Sequence, residues 1–388
     1  MSTLSESANP PVPVLADPVE RAKSLRSIIE AEADRTNEIG QLSESVVGAI
    51  RETELFWMNV PAELGGEDLP MKKRFEVYEE IASYDGSTGW AFMVLAGFVG
   101  YSAVGLGESA VQALYGDRNN RALAAGFAAP TGKAVRTEDG YRLSGSYRFG
   151  SGTLHADYIA AGAAIEGEES GTLTAFLRRD ETKQLGGWDV FGLKGSGSID
   201  YTVEDGLVTA DYTFDPANYV PLRGGVGGRM DFVSTAVTYH TAVALGIAKR
   251  ALQEIVKIAD SGRARPPAPK IIDQQRFLHD FASREAYLAA VRALMIENVE
   301  GMRAKLEDDE EITDFDRARL RQTAHTAHSV ARETVQWAYG WGGTASIRDG
   351  SKLGRCLLDI QVAIQHALID HTNLDDVAPT ILDHYRSE

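Results

Sequence analysis

The stretch KAVRTEDGYRLSGSYRF (133–149) marks the point at which the chain changes from helical to β periodicity. Apolar and polar side chains alternate on both sides of an Asp-Gly pair, which predicts a β-hairpin that turns at Asp139-Gly140. Its apolar face is expected to carry Tyr141, Leu143, Tyr147 and Phe149. Further strands are expected within residues 157–164, 172–179, 198–205 and 207–214. Short strands divided by turn residues favour an antiparallel barrel or sandwich of about 95 residues.

Helical periodicity flanks this β segment on both sides. Before it, apolar residues recur every three or four positions, and a helical run within 75–98 ends in a part that is apolar all round and should be buried. After it, four long helical patterns, the last over 352–371, favour a bundle. We therefore expect an α+β protein with four parts: a flexible tail (1–17), a helical domain (18–120), a β-barrel (121–219) and a C-terminal helical bundle (220–388).

The composition limits the kinds of partner. The 388 residues carry a formal net charge of −17, which disfavours nucleic acid and anionic membrane surfaces. The single cysteine, Cys356, excludes an intrachain disulfide and fits a reducing compartment. The N-terminal residues lack the basic and apolar regions of a signal peptide, and no uninterrupted apolar run is long enough to span a bilayer. These features predict a cytoplasmic protein.

Two glycine-serine stretches are candidates for ligand binding. In FGSGTLHADY (149–158), glycines on both sides of Ser151 allow the backbone to approach a large flat ligand, although a β-bulge is the alternative. In WDVFGLKGSGSIDY (188–201), a tryptophan and a phenylalanine precede a glycine-serine loop, which suits an aromatic wall or an ordinary hairpin. His325 and His328 have metal-ligand spacing but no further ligand at a suitable offset, so a solvated helix face is favoured over a metal site.

Five motifs, taken together, resemble a known family. They are LFWMNVPAELGGEDLP (55–70), DGSTGW (85–90), YRFGSGTLHADY (147–158), WDVFGLKGSGSIDYTVED (188–205) and GWGGTASIRDGSKLGRCLLDIQVAIQH (340–366). In this order they resemble the acyl-CoA dehydrogenase superfamily, and most closely its group D branch of two-component flavin-dependent monooxygenases. The resemblance implies an N-terminal helical domain, a central β-barrel and a C-terminal four-helix bundle. It also implies a homotetramer that holds flavin between barrel and bundle.

The two branches of this family differ in the group that faces the flavin. A dehydrogenase uses a glutamate to remove a proton α to a thioester. The resemblance places that glutamate at about His366 or Ala367, or near Ala236, and none of these is an acid. Asp231 and Asp370 are the nearest acids and remain alternatives.

The oxygenase branch places a catalytic histidine at the end of a (R/Q)QH stretch, which Gln365-His366 match. The resemblance thus makes His366 a catalytic base or the stabiliser of a flavin C4a-hydroperoxide, with Ser151 in support. Asp359 and Asp370, predicted on the same helical face, are expected to orient its ring. A core or capped histidine is the alternative. The histidine that many oxygenases carry after the GW pair is missing, and Tyr101 or apolar packing is expected in its place.

The resemblance also implies a set of ligand contacts. The flavin contacts are expected at Phe127, Ala129, Phe149, Ser151, Trp188, Arg263, Gln274, Gly342 and Gly343, and the substrate pocket at Trp90, Tyr239 and His240. Of these, Arg263 and Gln274 are expected to contact the flavin phosphates from a neighbouring subunit. We predict a monooxygenase that receives reduced FAD or FMN from a separate reductase and uses O₂ to oxygenate a small aromatic or heteroaromatic molecule. An acyl-CoA dehydrogenase-like FAD desaturase and a non-catalytic assembly subunit are the alternatives.

Overall fold

The computed structural model describes residues 16–264 and 266–387, so the predicted tail lies outside them except for Ala16 and Asp17. The predicted N-terminal helical domain is present. The Asp17 carboxylate accepts the Val19 N–H at 2.9 Å, and the first helix begins at Pro18. The helices are α1 (Pro18–Ser24), α2 (Arg26–Ile39), α3 (Glu44–Glu52), α4 (Met71–Ala82), α5 (Gly86–Gly105) and α6 (Glu108–Tyr115).

Helix α5 is the central element of this domain. It is apolar on every side, and nearly all of its 20 residues are buried. Its length and composition would allow it to cross a membrane, but 83% of its apolar window is buried inside the protein. A helix that is apolar all round and covered in this way is a core helix, as the sequence predicted.

The β domain is an open sheet rather than the predicted closed barrel. Seven strands follow the order β5-β6-β2-β1-β3-β4-β7, in which β1 and β3 are parallel and the other pairs are antiparallel. The edge strands have four and two residues, which is too short for them to close the sheet on each other. The strands are β1 (Ala124–Arg136), β2 (Gly140–Gly150), β3 (Tyr158–Ile165), β4 (Thr172–Arg178), β5 (Lys183–Gly186), β6 (Ile199–Thr209) and β7 (Thr213–Phe214).

The hairpin of β1 and β2 forms where it was predicted, with two differences in the sheet. Leu143 and Tyr147 are buried, but Phe149 has a φ of 61° and is 62% exposed, because the register with β6 shifts between Tyr147 and Gly150. Residues 199–209 form one strand instead of two. The two strands were expected to separate near Asp205. Instead the pairing of β6 with β2 is irregular there, and Asp205 has a φ of 59°.

Within its described residues, the C-terminal domain has five helices instead of the predicted four. The predicted helix 352–371 ends at Ala363, and turns connect it to a further helix. Asp370 accepts hydrogen bonds from the backbone and hydroxyl of Thr372, so the chain restarts a helix there. The helices are α7 (Phe232–Asp260), α8 (Gln275–Glu307), α9 (Asp314–Gly342), α10 (Lys352–Ala363) and α11 (Thr372–Ser387).

Helices α4 and α7 approach closely at Gly246, and this contact makes a prediction. A Cβ at Gly246 would lie 2.5 Å from the Glu79 carbonyl oxygen and 2.7 Å from the Ala82 Cβ. Gly246→Ala should therefore lower the free energy of unfolding by about 1–3 kcal/mol, measured by urea denaturation. Gly301→Ala in α8, where a Cβ meets nothing within 4 Å, should instead raise it by about 0.5–1 kcal/mol. Equal effects of the two changes would contradict the close approach.

Candidate active site

Two imidazoles and one indole from three distant segments form the centre of the candidate site. The ring centroids of His240 on α7 and His366 in the turn after α10 are 4.2 Å apart. The Trp90 ring of α5 lies 4.8 Å from His240 and 5.9 Å from His366. We call His240 and His366 the imidazole pair. The fold therefore brings both predicted histidines to the same place, beside the predicted Trp90.

A row of buried hydroxyls continues from Trp90 into the β domain. The Trp90 indole N–H donates to Ser151 Oγ at 3.0 Å. Ser151 Oγ is 2.6 Å from Ser198 Oγ, which is 2.7 Å from Ser196 Oγ. We call these three serines the hydroxyl chain. A serine hydroxyl can both donate and accept a hydrogen bond. The hydroxyl chain therefore orients the Trp90 indole and can form a hydrogen bond with a polar edge of a ligand.

The glycines beside Ser151 allow this arrangement. Gly152 has a φ of 73°, and a Cβ there would lie 3.0 Å from Leu95 Cγ on α5. The Gly152 N–H donates to the Ser196 carbonyl at 3.0 Å. The stretch is thus the irregular strand end that was the alternative interpretation, and that irregularity is what carries Ser151 to Trp90.

Both members of the imidazole pair are electrically neutral at pH 7. Burial lowers the pKa of His366 to about 4. Burial, followed by the neighbouring imidazoles of His366 and His328, lowers the pKa of His240 well below its ordinary value. His366 Nδ1 accepts the Leu368 N–H at 3.3 Å, so the neutral ring carries its proton on Nε2. His240 Nδ1 is buried and has no hydrogen-bond partner among the described residues.

Asp359 and Asp370 were expected to orient the His366 ring, but each accepts hydrogen bonds from another residue, so that prediction is wrong. Asp359 is buried and accepts the Leu193 N–H at 2.7 Å, and Asp370 binds Thr372. The reason is that α10 ends at Ala363, so residues 359, 366 and 370 do not share one helical face. The backbone of Leu368 holds the ring instead.

The acids considered for dehydrogenase chemistry are also engaged elsewhere. Asp231 is the N-cap of α7: it accepts hydrogen bonds from the Ser234 N–H at 2.9 Å and the Ser234 hydroxyl at 2.8 Å. It also pairs with Arg317 at 3.3 Å. Together with the Thr372 contacts of Asp370, this leaves each of these carboxylates with a structural partner.

Other predicted pocket residues lie apart from the imidazole pair. The Tyr239 ring packs on Tyr78 at 4.6 Å, and its hydroxyl accepts from Arg74 at 3.3 Å. Tyr101 packs on Phe232 at 4.4 Å and donates to the Phe232 carbonyl at 3.3 Å. Tyr239 is next to His240 in sequence, but neighbours on a helix point about 100° apart, so it faces the N-terminal domain.

The predicted flavin contacts form two groups. The first is an exposed aromatic surface on the β domain, where Phe149 and Trp188 are 6.2 Å apart and Phe191 is 58% exposed. It adjoins the loop of residues 188–198, which carries two serines of the hydroxyl chain. On β1, Phe127 is half-buried and Ala129 is exposed.

The second group lies at the ends of the bundle helices. Arg263 donates to the Thr344 hydroxyl, next to Gly342 and Gly343 at the end of α9, and Arg263 Nε is buried without a partner within residues 16–264 and 266–387. Gln274 precedes α8 and donates to the Pro269 carbonyl at 3.0 Å. An uncovered aromatic surface beside buried hydroxyls, together with an arginine that has an unpartnered N–H, fits the flat ring and the phosphate of a flavin.

The two histidines with metal-ligand spacing do not form a solvated face. His328 is buried and donates from Nδ1 to the Ala324 carbonyl at 2.7 Å, while His325 Nδ1 lies 3.3 Å from the Ile369 carbonyl oxygen. Residues 16–264 and 266–387 contain no group of three or more His, Cys, Asp or Glu arranged to hold a metal ion.

Sequence reasoning missed Ser196 and Ser198 as members of the site. Their only signal was the repeated glycine-serine pattern KGSGS, which was interpreted as a loop without naming either hydroxyl. It also missed the contact of Asp359 with Leu193, because the pair is separated by 166 positions.

The buried imidazoles make the protein sensitive to acid. The pKa values of His155, His328 and His366 are lowered to about 4, against about 6.5 in an unfolded chain. The unfolded state therefore binds more protons between these values, so stability is complete above about pH 6.5 and is lost as the pH falls toward 4. Asp359 has the opposite effect on the pH dependence of stability, because burial and the neighbouring Asp85 raise its pKa to about 7.

We expect the melting temperature to fall by several degrees between pH 7 and pH 5, since each of the three imidazoles contributes up to about 3 kcal/mol. Differential scanning fluorimetry across this range measures the effect. His371→Ala, which removes an exposed imidazole, should leave the curve unchanged. A constant melting temperature down to pH 4.5 would contradict neutral burial of these rings.

Comparisons with known proteins relate this site to a family. The model of the acyl-CoA dehydrogenase N-terminal domain matches residues 21–118, and that of the C-terminal domain matches residues 238–371. An indole-3-acetate monooxygenase of Pseudomonas putida is 29% identical over 337 residues, which cover 84% of each chain. The oxygenase component of an FADH(2)-dependent resorcinol hydroxylase of a Rhizobium species is 27% identical over 212 residues, covering 53% of this chain and 51% of that one.

Solved structures have the same fold. The HsaA monooxygenase of M. tuberculosis superposes with a TM-score of 0.86 at 21% identity, over 96% of this chain and 97% of that chain. XiaF from a Streptomyces species, crystallised with FADH2 and glycerol, gives a TM-score of 0.85 at 21% identity, over 93% and 94% of the chains. These likenesses confirm the arrangement of an N-terminal helical domain, a central sheet and a C-terminal helical domain.

Proposed function

We propose that this chain, which belongs to the acyl-CoA dehydrogenase superfamily, is the oxygenase component of a two-component flavin-dependent monooxygenase. Its substrate is a small aromatic or heteroaromatic molecule. The observation that carries the proposal is the neutral imidazole pair, packed beside Trp90 and the hydroxyl chain. The dehydrogenases of the family need a carboxylate at one of two positions. The resemblance places the first at His366 or Ala367 and the second near Ala236, and none of these residues is an acid.

The cofactor in this proposal is reduced FAD or FMN, delivered by a separate reductase, and O₂ is the second substrate. When bound, reduced flavin activates O₂ for transfer of one oxygen atom to the substrate. Phe149 and Trp188 would cover the ring, and Ser151 would meet its polar edge. Arg263, with Gly342 and Gly343 nearby, would hold the phosphate.

The two imidazoles have different roles in the proposed reaction. His366 carries its proton on Nε2 and so presents a hydrogen-bond donor, while its Nδ1 is held by Leu368. His240 is neutral, and its Nδ1 has no partner among the described residues, so this imidazole can accept a hydrogen bond from the substrate. The apolar helix α5 keeps water away from both rings.

We also propose that the protein is a cytoplasmic homotetramer. Several large apolar side chains are exposed on the single chain, among them Leu278 and Tyr287 on α8 and Leu358 on α10. Such surfaces suit contacts between copies of the chain. Sedimentation or light scattering of the purified protein measures the assembly.

A labelled-oxygen experiment tests the function. The protein is mixed with chemically reduced FMN or FAD and ¹⁸O₂, with indole as the aromatic probe, and the products are analysed by mass spectrometry. One ¹⁸O atom per product molecule supports the proposal. Bleaching of bound FAD by an acyl-CoA without a reductase would identify a dehydrogenase instead. A protein that binds no flavin would be an assembly subunit.

A further inference from the structure

The 188–198 loop contains a residue in an unfavourable backbone conformation. Leu193 has φ 50° and ψ 31°, which is the left-handed region that residues with a Cβ avoid. Its side chain is buried, with 1% of its surface exposed. A leucine in this conformation persists only where its surroundings hold it there.

One buried carboxylate holds the backbone of this residue. The Leu193 N–H donates to Asp359 Oδ1 of α10 at 2.7 Å. Asp359 is 2% exposed, and a Cβ at Gly86 would lie only 2.7 Å from its Oδ2. The first turn of α5 thus has a glycine where the carboxylate needs space, and Asp359 sits at the junction of α5, α10 and the loop.

The Leu193 carbonyl oxygen holds the two residues of the loop that belong to the candidate site. The Leu193 carbonyl accepts the Trp188 indole N–H at 3.0 Å and the Ser196 N–H at 3.1 Å. Trp188 is the proposed flavin wall, and Ser196 begins the hydroxyl chain that leads to Ser151. The backbone conformation of this one residue therefore connects Asp359, which holds its N–H, with Trp188 and Ser196, which its carbonyl holds.

Asp359 occupies an environment that disfavours a carboxylate. Burial and the nearby Asp85 carboxylate raise its pKa to about 7, and this is only partly offset by Arg355 and by the bond from Leu193. Asp85 itself caps α5 by accepting the Thr88 N–H at 2.8 Å. A buried acid beside another acid lowers stability, so its retention favours a positional role over a purely stabilising one.

We propose that Asp359 is a positioning residue that keeps Leu193 left-handed and thereby fixes Trp188 and Ser196 for flavin binding. The proposal rests on the proposed function, because it takes the 188–198 loop as part of the flavin site. It differs from a role in orienting His366, which the geometry excludes. This role requires a hydrogen-bond acceptor at residue 359 and a positive φ at residue 193. It does not require a negative charge at residue 359.

The test measures binding of oxidised flavin, so it does not depend on turnover. The dissociation constants of FMN and FAD are determined by fluorescence titration for wild type, Asp359→Ala, Asp359→Asn, Leu193→Gly and Asp359→Ala/Leu193→Gly. Asp359→Ala should raise the constant about tenfold, the effect of one lost buried hydrogen bond. Asp359→Asn keeps an acceptor and should change it less than about threefold.

The double variant is the decisive comparison, because glycine adopts the left-handed region without strain. Asp359→Ala/Leu193→Gly should bind flavin within about threefold of Leu193→Gly alone. Hydrogen exchange of residues 188–198 should accelerate in Asp359→Ala and slow again in the double variant. Asp370→Ala is the control, since Asp370 is bound to Thr372, and it should bind flavin as wild type does.

Three results would overturn the proposal: unchanged affinity in Asp359→Ala, equal losses in Asp359→Asn and Asp359→Ala, or no rescue by glycine at 193. Should Asp359→Ala fail to fold, Leu193→Val gives an independent measurement, because a β-branched residue resists the left-handed region. It should raise the dissociation constant about tenfold, and wild-type affinity would refute the proposal. If the wild type bound neither oxidised nor reduced flavin, the proposed function itself would be refuted.

Discussion

Replacing His366 with alanine should lower the rate of product formation at least about a hundredfold while flavin binding changes little, because general acid–base groups typically contribute that much or more. The imidazole is neutral, with a pKa of about 4, and packs against His240 with the ring centroids 4.2 Å apart. Its Nδ1 accepts the Leu368 N–H, so its proton is on Nε2, which can donate. Alanine removes that donor. Oxygen consumption should continue with release of H₂O₂, so the ratio of product formed to O₂ consumed is the quantity to measure.

Two further variants separate chemistry from folding in this experiment. His366→Asn retains a side-chain acceptor for the Leu368 N–H, so the turn after α10 should persist while turnover is still lost. His371→Ala removes an exposed histidine five positions further along and should leave turnover unchanged. Should His366→Ala keep the wild-type ratio of product to O₂ consumed, His366 has no part in the reaction.

The sequence predicted most of the architecture because the signals that decide it are local. The apolar α5 and the hairpin at Asp139-Gly140 each depend on a short stretch of residues. Strand closure is not a local property. Whether seven strands form a barrel depends on the lengths of β5 and β7, and these edge strands are short and weakly patterned.

The candidate site was predicted in part for the same reason. His366, Ser151 and Trp90 stand in the motifs that resemble the family, whereas His240 was predicted only from its place on a bundle helix; the fold brings all four together. The resemblance could not show how His366 is held. The helical pattern of 352–371 continues past Ala363, so periodicity alone gives no sign that Asp359 faces Leu193 instead of the imidazole.

The site depends on all three parts of the chain at once. Trp90 comes from the helical domain, the hydroxyl chain from the sheet and its loop, and the imidazole pair from the bundle. No part by itself contains both an aromatic wall and a titratable group of this cluster. Changes that loosen the contact between domains should therefore reduce turnover before they unfold any one domain.

His240 allows a test in which stability and activity move in opposite directions. Its Nδ1 is buried without a partner among the described residues, which costs about 1–3 kcal/mol of stability. His240→Phe retains an aromatic ring against Trp90 and His366 and removes that unpartnered atom. The variant should melt a few degrees higher than wild type and should lose at least about tenfold in turnover of aromatic substrates that carry an N–H or O–H.

The substrate dependence of this loss identifies its cause. If His240 accepts a hydrogen bond from the substrate, the preference for indole over 1-methylindole should be lost in His240→Phe, because only indole has an N–H to donate. His328→Phe is the matched control, because it replaces another buried imidazole that also has one ring nitrogen without a partner among the described residues; it should keep the preference. A more stable His240→Phe with wild-type turnover and preference would make His240 a core residue and leave His366 as the single reacting imidazole.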